Sequence, residues 1–374
     1  MNSFSIGTLG IMCCSRLGSP PFSDENYCRR LSILGKKYGI RVIVFCPADA
    51  APDRSFVNGF TYKQGEWHKC RLPFPDIVYD RCLFHSGKEF TAAASLLSEA
   101  RFAGRWLLWS RGLPGKWQVY QTLKREASLL PHLPPTSIYR GTEDLLIALK
   151  KYDGEIFLKP KSGSQGKNTL YIRMNPDLRA FLVKARDSAN RQLEMSFDES
   201  SKAFLWIRQF TGNRDYILQP FLQLYGRNDQ PFDIRVLMQK NEKGLWMRTG
   251  MAVREGAAGS MTSNLHGGGK ALPVLPYLSE KFGAAQAERM TDTLGQLSEN
   301  IPPILEGHYG RLGELGIDFG IDTKGDIWLL EVNSKPGRSS IRQAGNDPGS
   351  AILASENPLR YARYLLLRQL RRVN

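Results

Sequence analysis

Oxygen ligands suited to a metal ion lie on two neighbouring apolar segments near the C-terminal end of the chain. Residues 312–322 alternate like a strand and carry Asp318, and after a turn residues 327–333 carry Glu331 and Asn333. A tight turn would pair these strands antiparallel, and Glu331 and Asn333, two residues apart, would project from one face. Such a set leaves room for water and phosphate oxygens, which is what Mg²⁺ (or Mn²⁺) requires in nucleotide sites.

The position of Glu331 within an apolar strand also demands a charge partner. A carboxylate in the middle of the run Trp-Leu-Leu-Glu-Val-Asn costs free energy unless it is paired or bound to a metal. The alternative to metal binding is a salt bridge to Lys335 or Arg338. The sequence leaves both interpretations open.

A loop of small residues between the strand patterns 155–160 and 169–173 forms a second motif. Its residues are Ser162, Gly163, Ser164, Gln165, Gly166, Lys167 and Asn168. The order strand, loop, strand predicts a hairpin-like flap, whereas the pattern G-x-x-x-x-G-K-[ST] fails at both ends. Backbone N–H groups of such a loop can still hold phosphates, with Lys159 or Lys161 supplying charge. The alternative is a mobile turn with a solvated lysine.

A third cluster consists of Asp233 and Arg235, which share a strand face and precede the segments 251–255 and 264–269. The planar guanidinium of an arginine suits the oxygens of a transferring phosphoryl group. Asp233 and Arg235 could instead pair with each other.

Length and composition indicate a globular chain of two or three domains that positions these motifs. The chain has 374 residues, of which 42% are hydrophobic and 23% are charged, and a domain usually takes roughly 150 residues. Strand patterns at 5–12, 40–45 and 76–79 and a helical pattern at 26–38 predict a small parallel sheet with helices on its faces. A turn at 113–117 opens a predicted helix that runs to Leu130.

The net charge of +15 is compatible with several anionic partners. It is densest in the C-terminal tail, where arginines alternate with leucines at helical spacing and predict a basic amphipathic helix; these arginines are Arg363, Arg368, Arg371 and Arg372. A nucleic-acid binder would show a steep salt dependence of binding. The absence of a dense basic stripe argues against that class.

The chain has no apolar window of the roughly 18 residues that a membrane-spanning helix needs. Its N-terminus lacks the basic and apolar regions of a secretory signal. The six cysteines form no C-x-x-C pair, which predicts reduced and mostly buried thiols. We therefore expect a cytoplasmic protein without a transmembrane segment.

The order of these motifs resembles the ATP-grasp superfamily over about residues 113 to 340. The matching elements are Lys116-Trp117, Lys159-Pro160 with the glycine loop, a hinge at 217–221, Asp233-x-Arg235, Asp318 and Glu331-x-Asn333. The segments 75–81, 115–117, 133–136 and 331–338 look like those of the endospore coat-associated ATP-grasp proteins YheC/YheD. The resemblance implies an α/β (α+β) chain with the ATP-grasp fold. The expected chain comprises a pre-ATP-grasp α/β domain at 1–112, a subdomain with the flap at 113–215, and a subdomain with the metal site and basic C-terminal helix at 216–374.

The resemblance also implies a role for each matching residue. The ATP-binding residues would be Lys116, Lys159, Lys161, Ser162, Gly163, Ser164, Gly166, Gln219, Pro220, Phe221, Leu222 and Asp233. Within this set the hinge from Gln219 to Leu222 would read adenine, and Asp233 would lie near the ribose. Asp318, Glu331 and Asn333 would hold Mg²⁺. Lys159 and Arg235 would be catalytic, and the substrate side would include Asn264, Gly268, Lys335 and Arg338.

The implied activity is ATP- and Mg²⁺-dependent ligation of a carboxylate to an amine on a peptide-like substrate, through an acyl phosphate. Positioning and charge neutralisation carry most of such phosphoryl transfer. The chain departs from the pattern at Gln219, where many relatives have Glu, at Gly316, where several have Arg, and at 262–268, which lacks flanking arginines. The alternative is a non-catalytic or ATP-binding structural component of the endospore coat, with spore-coat proteins as partners.

Overall fold

The computed structural model describes residues 5–84, 87–98, 106–163, 166–175, 180–226, 229–257, 269–345 and 348–373, with side chains of the last helix described to residue 369. Three sheets of six, six and five strands follow one another along the chain. This mixture of sheets and helices agrees with the expected α/β (α+β) class. The domain boundaries at 112 and 215 stay a prediction, and the last strand of the second sheet continues to Pro220.

The first sheet has the strand order β4-β3-β2-β1-β5-β6. Its elements are β1 Gly7–Met12, α1 Glu25–Gly35, β2 Ile40–Phe45, β3 Phe56–Lys63, β4 Glu66–Pro73, β5 Ile77–Asp80, α2 Gly87–Leu97 and β6 Leu107–Leu108. Strand β1 pairs in parallel with β2 and β5, as the alternating pattern predicts. The β3–β4 hairpin is antiparallel and was not predicted, because the edge strand β4 is mostly exposed and has little apolar pattern. All six cysteines are free thiols, and five are buried, as expected.

The second sheet has the strand order β11-β10-β9-β8-β12-β7, and every pairing in it is antiparallel. The elements in this part of the chain are α3 Lys116–Leu123, β7 Ser137–Tyr139, α4 Thr142–Lys151, β8 Glu155–Pro160, β9 Thr169–Asn175, β10 Ala180–Arg186, β11 Gln192–Phe197, α5 Ser200–Thr211 and β12 Tyr216–Pro220. Helix α3 packs in the core of the third sheet. The β8–β9 pairing confirms the predicted hairpin.

Helix α3 ends at Leu123, seven residues before the predicted end at Leu130. The backbone N–H groups of Arg125 and Glu126 donate to carbonyls three residues earlier, so the chain turns there. The turn brings Leu129 into the same core as Leu123. The chain therefore leaves the helix before Leu129 and buries this leucine in the core.

The third sheet has the strand order β15-β14-β13-β16-β17. Its elements are β13 Phe232–Lys240, β14 Trp246–Glu255, β15 Lys270–Leu272, α6 Val274–Phe282, α7 Ala284–Tyr309, β16 Glu314–Ile321, β17 Ile327–Asn333, α8 Ser339–Gln343 and α9 Pro348–Val373. All its strands are antiparallel to their neighbours. Helix α7 buries Leu294, Ile301 and Leu305 against the sheet.

The C-terminal helix α9 returns to the first sheet. Its residues Tyr361, Leu365 and Leu366 pack in the core that contains β1, which confirms the expected amphipathic helix. Arg363 donates to the Tyr38 carbonyl oxygen at 2.8 Å, so this part of the basic tail binds the protein itself. No helix within the described ranges is both long and apolar enough to cross a membrane.

A buried ion network joins the first and third sheets. Glu314 on β16 has no solvent exposure and accepts hydrogen bonds from Arg338, from Tyr79 and, at 3.3 Å, from Arg81. Arg81 also donates to Asp24 at 2.8 Å. Burial raises the pKa of Tyr79 to about 12, so this phenol stays a hydrogen-bond donor. A fully buried carboxylate is stable here because two guanidinium groups neutralise it.

Replacement of Glu314 tests this network. Glu314→Ala leaves Arg81 and Arg338 without their shared counter-charge, and we expect it to lower the free energy of unfolding by about 3–5 kcal/mol. Urea unfolding followed by the intrinsic fluorescence of the seven tryptophans measures the change; one of them, Trp109, has its ring centroid 4.3 Å from that of Tyr79 in this network. Glu288→Ala, on an exposed part of α7, is the control. Equal stability of the two variants would contradict the role of Glu314.

Candidate functional site

A cavity of about 1580 Å³ is lined by the second and third sheets, by α1 and by the segment that contains α8 and the start of α9. Among the described site residues predicted from sequence, all except Lys161 and Ser162 line this cavity. Those two line an adjoining cavity of about 580 Å³, which shares Lys116, Lys159 and Glu331 with the larger one. Ser164, Asn264 and Gly268 lie outside the described residues. The larger volume exceeds the roughly 300–1,000 Å³ of a single small-molecule site.

Five charged residues on neighbouring strands of the third sheet lie on its cavity side. Arg254 on β14 lies opposite Asp233 on β13, and Arg235 on β13 lies opposite Asp318 on β16. Asp318 in turn lies opposite Glu331 on β17, as the sequence predicts for an antiparallel pair. The strand register therefore places Arg235, Asp318 and Glu331 in one row across the sheet, and the Arg254–Asp233 pair lies in a neighbouring row, two residues away along β13.

A β-bulge at Leu330 gives Glu331 its direction. The register pairs Asp318 with Glu331 but the next residue, Phe319, with Leu329, so Leu330 is an extra residue in β17. Ile327 and Leu329 are buried in the core, and without the bulge Glu331 would follow them onto that face. With it, Glu331 and Asn333 both line the cavity. The spacing of two residues along a strand predicted that Glu331 and Asn333 share a face, but it did not predict the bulge.

Asp318 is held by two arginines. Arg235 Nη2 lies 2.8 Å and Arg254 Nη2 lies 3.0 Å from Asp318 Oδ2, and Arg235 Nε donates to the other carboxylate oxygen. Burial raises the pKa of Asp318, but the two guanidinium groups outweigh burial and hold this pKa below its usual value. Asp318 is therefore a buried carboxylate with its negative charge matched on both sides.

Arg254 is a site residue that the sequence analysis did not assign. It donates to both carboxylate oxygens of Asp233, at 2.6 and 2.7 Å, so Arg254 and not Arg235 is the residue opposite Asp233. The sequence feature that could have identified Arg254 is its position on β14, the strand that follows β13 in the chain and pairs with it. Only the register identifies which residue of β14 lies opposite Asp233.

The guanidinium of Arg235 fills space that Gly316 leaves open. A Cβ atom at residue 316 would lie 3.1 Å from Arg235 Nη1 and 2.8 Å from Pro336 Cβ. A larger side chain there would displace Arg235 from Asp318. The absence of a side chain at Gly316 thus leaves room for the Arg235 guanidinium beside Asp318.

Lys116 links the flap to the third sheet. Its Nζ atom lies 3.2 Å from Glu331 Oε1 and 2.5 Å from the Gly163 carbonyl oxygen. Glu331 is therefore paired with Lys116 and not with the two alternatives, since Lys335 binds Asp80 at 2.6 Å and Arg338 binds Glu314. The flap itself is anchored: Lys161 lies 3.4 Å from Asp215, and the Tyr216 hydroxyl donates to the Asn168 carbonyl oxygen.

Lys159 lies between these charges and is unusually acidic. Its ammonium donates to the Leu330 carbonyl oxygen at 3.2 Å. Burial lowers the pKa of Lys159 from 10.5 to about 8, Glu331 opposes this shift, and Lys116 adds to it. The charge of Lys159 thus changes near pH 8 and depends on Glu331.

The predicted hinge gives the cavity an apolar end. Phe157 and Leu330 line it beside Pro220, Phe221 and Leu222. The Gln219 amide donates to Thr136 Oγ1 at 2.7 Å, and the Phe221 N–H donates to the Glu155 carbonyl oxygen. Apolar side chains from two sheets with backbone polar groups at their edge suit a planar ring.

Of the three predicted metal ligands, two are available to bind a hard divalent cation. Glu331 and Asn333 present oxygen atoms to the cavity, whereas both oxygens of Asp318 are engaged by arginines. Across the described ranges, no three residues of the types His, Cys, Asp and Glu form a complete metal cluster. Glu331 and Asn333 suit Mg²⁺, which takes most of its ligands from water and phosphate.

Comparison with known proteins identifies the class. The fold is that of the ATP-grasp ligases: a solved structure of D-cycloserine synthetase DcsG superposes with a TM-score of 0.55 at 13% identity, covering 97% of this chain and 100% of that one. The model of the YheC/D-like ATP-grasp family matches residues 107–365, so the chain belongs to this family, as the resemblance predicts.

Two relatives in Bacillus subtilis (strain 168) extend the similarity to nearly the whole chain. It is 29% identical to the endospore coat-associated protein YheC over 365 residues, which cover 97% of both chains. It is 26% identical to the endospore coat-associated protein YheD over 361 residues, which cover 92% of this chain and 75% of YheD.

The dependence of Lys159 on Glu331 can be measured. We expect Glu331→Gln to lower the pKa of Lys159 below about 8, because the carboxylate that favours the ammonium is lost. Competitive acetylation of Lys159 as a function of pH, followed by mass spectrometry, reports this pKa. Glu194→Gln, on the exposed strand β11, is the matched control. An unchanged or higher pKa in Glu331→Gln would be inconsistent with this charge arrangement.

Proposed function

We propose that this protein binds ATP with Mg²⁺ and ligates a carboxylate to an amine through an acyl phosphate. The observation that carries the proposal is the convergence of Lys116 and Lys159 with Glu331 and Asn333 in one cavity. Lysines suit phosphate oxygens, and the two oxygen donors suit a metal that bridges phosphates. The ATP-grasp fold and family supply the context in which this convergence is interpreted.

The two ends of the site support a proposed position for each part of the nucleotide. The adenine lies at the apolar end, against Phe157, Leu330 and the hinge at Gln219–Leu222. The phosphates lie at Lys116, Lys159 and the flap, with Lys161 and the N–H groups near Gly163 and Gly166 able to approach them. Asp233, which Arg254 engages, is on the same cavity wall and is proposed to lie toward the ribose.

Charge balance supports a joint requirement for nucleotide and metal. In the structure described here Glu331 is neutralised by Lys116, and Asp318 by Arg235 and Arg254. Phosphates that draw Lys116 away would remove the ion-pair partner of Glu331 in a partly buried site, which is costly. Mg²⁺ would supply the replacement charge through Glu331 and Asn333, and through Asp318 where an arginine turns to the phosphates.

The proposed reaction has two steps. A substrate carboxylate oxygen attacks the γ-phosphorus of ATP, the bond to the β-phosphate oxygen breaks, and ADP leaves. An amine then attacks the carbonyl carbon of the acyl phosphate, inorganic phosphate leaves, and the amine loses a proton as the amide forms. Lys159 and Arg235 are proposed to stabilise negative charge on the transferred group, because preorganised cations in a buried site do this most effectively.

We also propose that the protein associates with the endospore coat. The support is its similarity over nearly its whole length to YheC, an endospore coat-associated protein. A second candidate function, an ATP-binding coat component without turnover, is favoured by one observation. Both oxygens of Asp318 are occupied by arginines, so the full metal set forms only after a rearrangement.

Calorimetric titration with a non-hydrolysable ATP analogue tests the nucleotide site. We expect Mg²⁺-dependent binding that weakens at least tenfold in Glu331→Ala and in Lys159→Ala, because each removes a charge that contacts metal or phosphate. Arg289→Gln, on an exposed part of α7, should bind like wild type. The absence of binding by folded wild-type protein would refute the proposal. Binding without release of ADP from ATP, across pairs of carboxylates and amines, would favour the second candidate.

The low pKa of Lys159 predicts proton uptake on nucleotide binding. Above pH 8 Lys159 is mainly neutral in the free protein, and phosphates favour its ammonium form. We therefore expect net uptake of up to one proton at pH 8.5 and a loss of affinity approaching tenfold per pH unit above 8. Calorimetry in two buffers of different ionisation enthalpy measures the uptake. Lys159→Arg stays protonated and should abolish it; persistent uptake would assign the proton to another group.

A further inference from the structure

The large cavity extends beyond the nucleotide site into a region lined by α1, α8 and the start of α9. We call this region the basic arm; its cationic residues are Arg29, Arg30, Lys37, Arg81, Arg338 and Arg342. It is continuous with Lys159 and Glu331, which line the same cavity. A substrate held in the basic arm would thus reach toward the phosphate end of the nucleotide site.

Four of these cations are neutralised by the protein. Lys37 lies 2.7 Å from Glu356, and Arg29 lies 3.8 Å from Glu25. Arg81 and Arg338 share the buried Glu314 in the network that joins the first and third sheets. The positive charge of these four residues is therefore largely neutralised by ion pairs that join the walls of the basic arm.

Arg30 and Arg342 carry the excess charge. Arg30 Nη1 donates to the Ser355 hydroxyl at 3.1 Å, which is a neutral partner. Within the described part of the chain neither Arg30 nor Arg342 forms an ion pair, and both side chains are exposed to the cavity side of the molecule. They come from different elements, α1 and α8, so two separate points of the arm are left with positive charge.

Two exposed apolar side chains line the same cavity as these arginines. Ile33 on α1 is 55% exposed and Ile352 on α9 is 57% exposed, and both line the same cavity. Two exposed isoleucines on the wall of a concave region give it apolar surface that aliphatic groups of a ligand could cover. Free phosphate compounds would gain nothing from them. A chain with carboxylates and aliphatic side chains satisfies both features.

We propose that the basic arm binds an acidic peptide, whose carboxylates meet Arg30 and Arg342 while its aliphatic side chains cover Ile33 and Ile352. This inference rests on the proposed ligase function and names the class of its second substrate. The peptide supplies the carboxylate that is activated at Lys159, or the amine that accepts it. Charged contacts of this kind favour carboxylates over neutral amides of the same shape.

The test uses the full chain, titrated with the peptide Leu-Glu-Leu-Glu and with its neutral analogue Leu-Gln-Leu-Gln, each with and without Mg²⁺ and ADP. We expect the acidic peptide to bind at least tenfold more tightly than the neutral one. Arg30→Gln and Arg342→Gln should each weaken its binding by about fivefold, as expected for single exposed charge contacts. Both variants should bind Mg²⁺ and ADP like wild type.

Two controls separate binding from structure. Ser355→Ala removes the hydrogen bond of Arg30 but keeps its charge, so it should bind the acidic peptide normally. Arg289→Gln makes the same charge change on an exposed part of α7 and should have no effect. A loss of peptide binding in Ser355→Ala equal to that in Arg30→Gln would assign Arg30 a structural role and overturn the proposal.

The remaining outcomes are distinguishable from failure of the ligase proposal. Normal binding of Mg²⁺ and ADP with no preference for Leu-Glu-Leu-Glu would overturn this inference alone, whereas loss of ADP binding by wild type would count against the nucleotide site. The last measurement is a titration with tripolyphosphate in the presence of saturating Mg²⁺ and ADP. If it binds through Arg30 and Arg342 while the peptide does not, the arm takes a phosphorylated ligand and the proposal is wrong.

Discussion

Carboxylates on the buried strands of the third sheet need positive partners, and the rest of the site depends on this constraint. Asp318 and Glu314 lie on β16, where every residue is buried, and Glu331 lies on the mainly apolar β17. Each has at least one Lys or Arg within ion-pair distance. Because isolated buried charges are expensive, these pairs form wherever the fold can supply a cation.

The same constraint has different consequences at the two ends of β16. At Glu314 the cations are Arg81 and Arg338, whose side chains are only 6% and 7% exposed although both residues line the large cavity, and the result is a fixed contact between the first and third sheets. At Asp318 and Glu331 the partners also line an open cavity. There the cations are able to exchange their carboxylates for an anionic ligand if another positive charge takes their place. Ion pairs thus make the contact at Glu314 rigid, whereas at Asp318 and Glu331 they leave cations that can bind an anionic ligand.

Much of the site could be predicted from local patterns. The strands that carry Asp318 and Glu331, their antiparallel pairing and the β8–β9 hairpin follow from alternation and turn residues, and all are present. The β3–β4 hairpin was missed because β4 is a polar edge strand. Arg254 and the bulge at Leu330 were missed because neither leaves a periodic signal; both are consequences of which residues meet across strands.

The sequence by itself determined the order of the motifs, the family to which they belong and the residue types available for phosphate and metal. Only the tertiary structure decided which charges are paired: Lys335 binds Asp80, Arg338 binds Glu314, and Lys116 takes Glu331. It also decided the pKa of Lys159, which burial lowers to about 8. The physical reason is that ion pairing and desolvation depend on distance and burial between segments far apart in the chain, and no local pattern encodes either quantity.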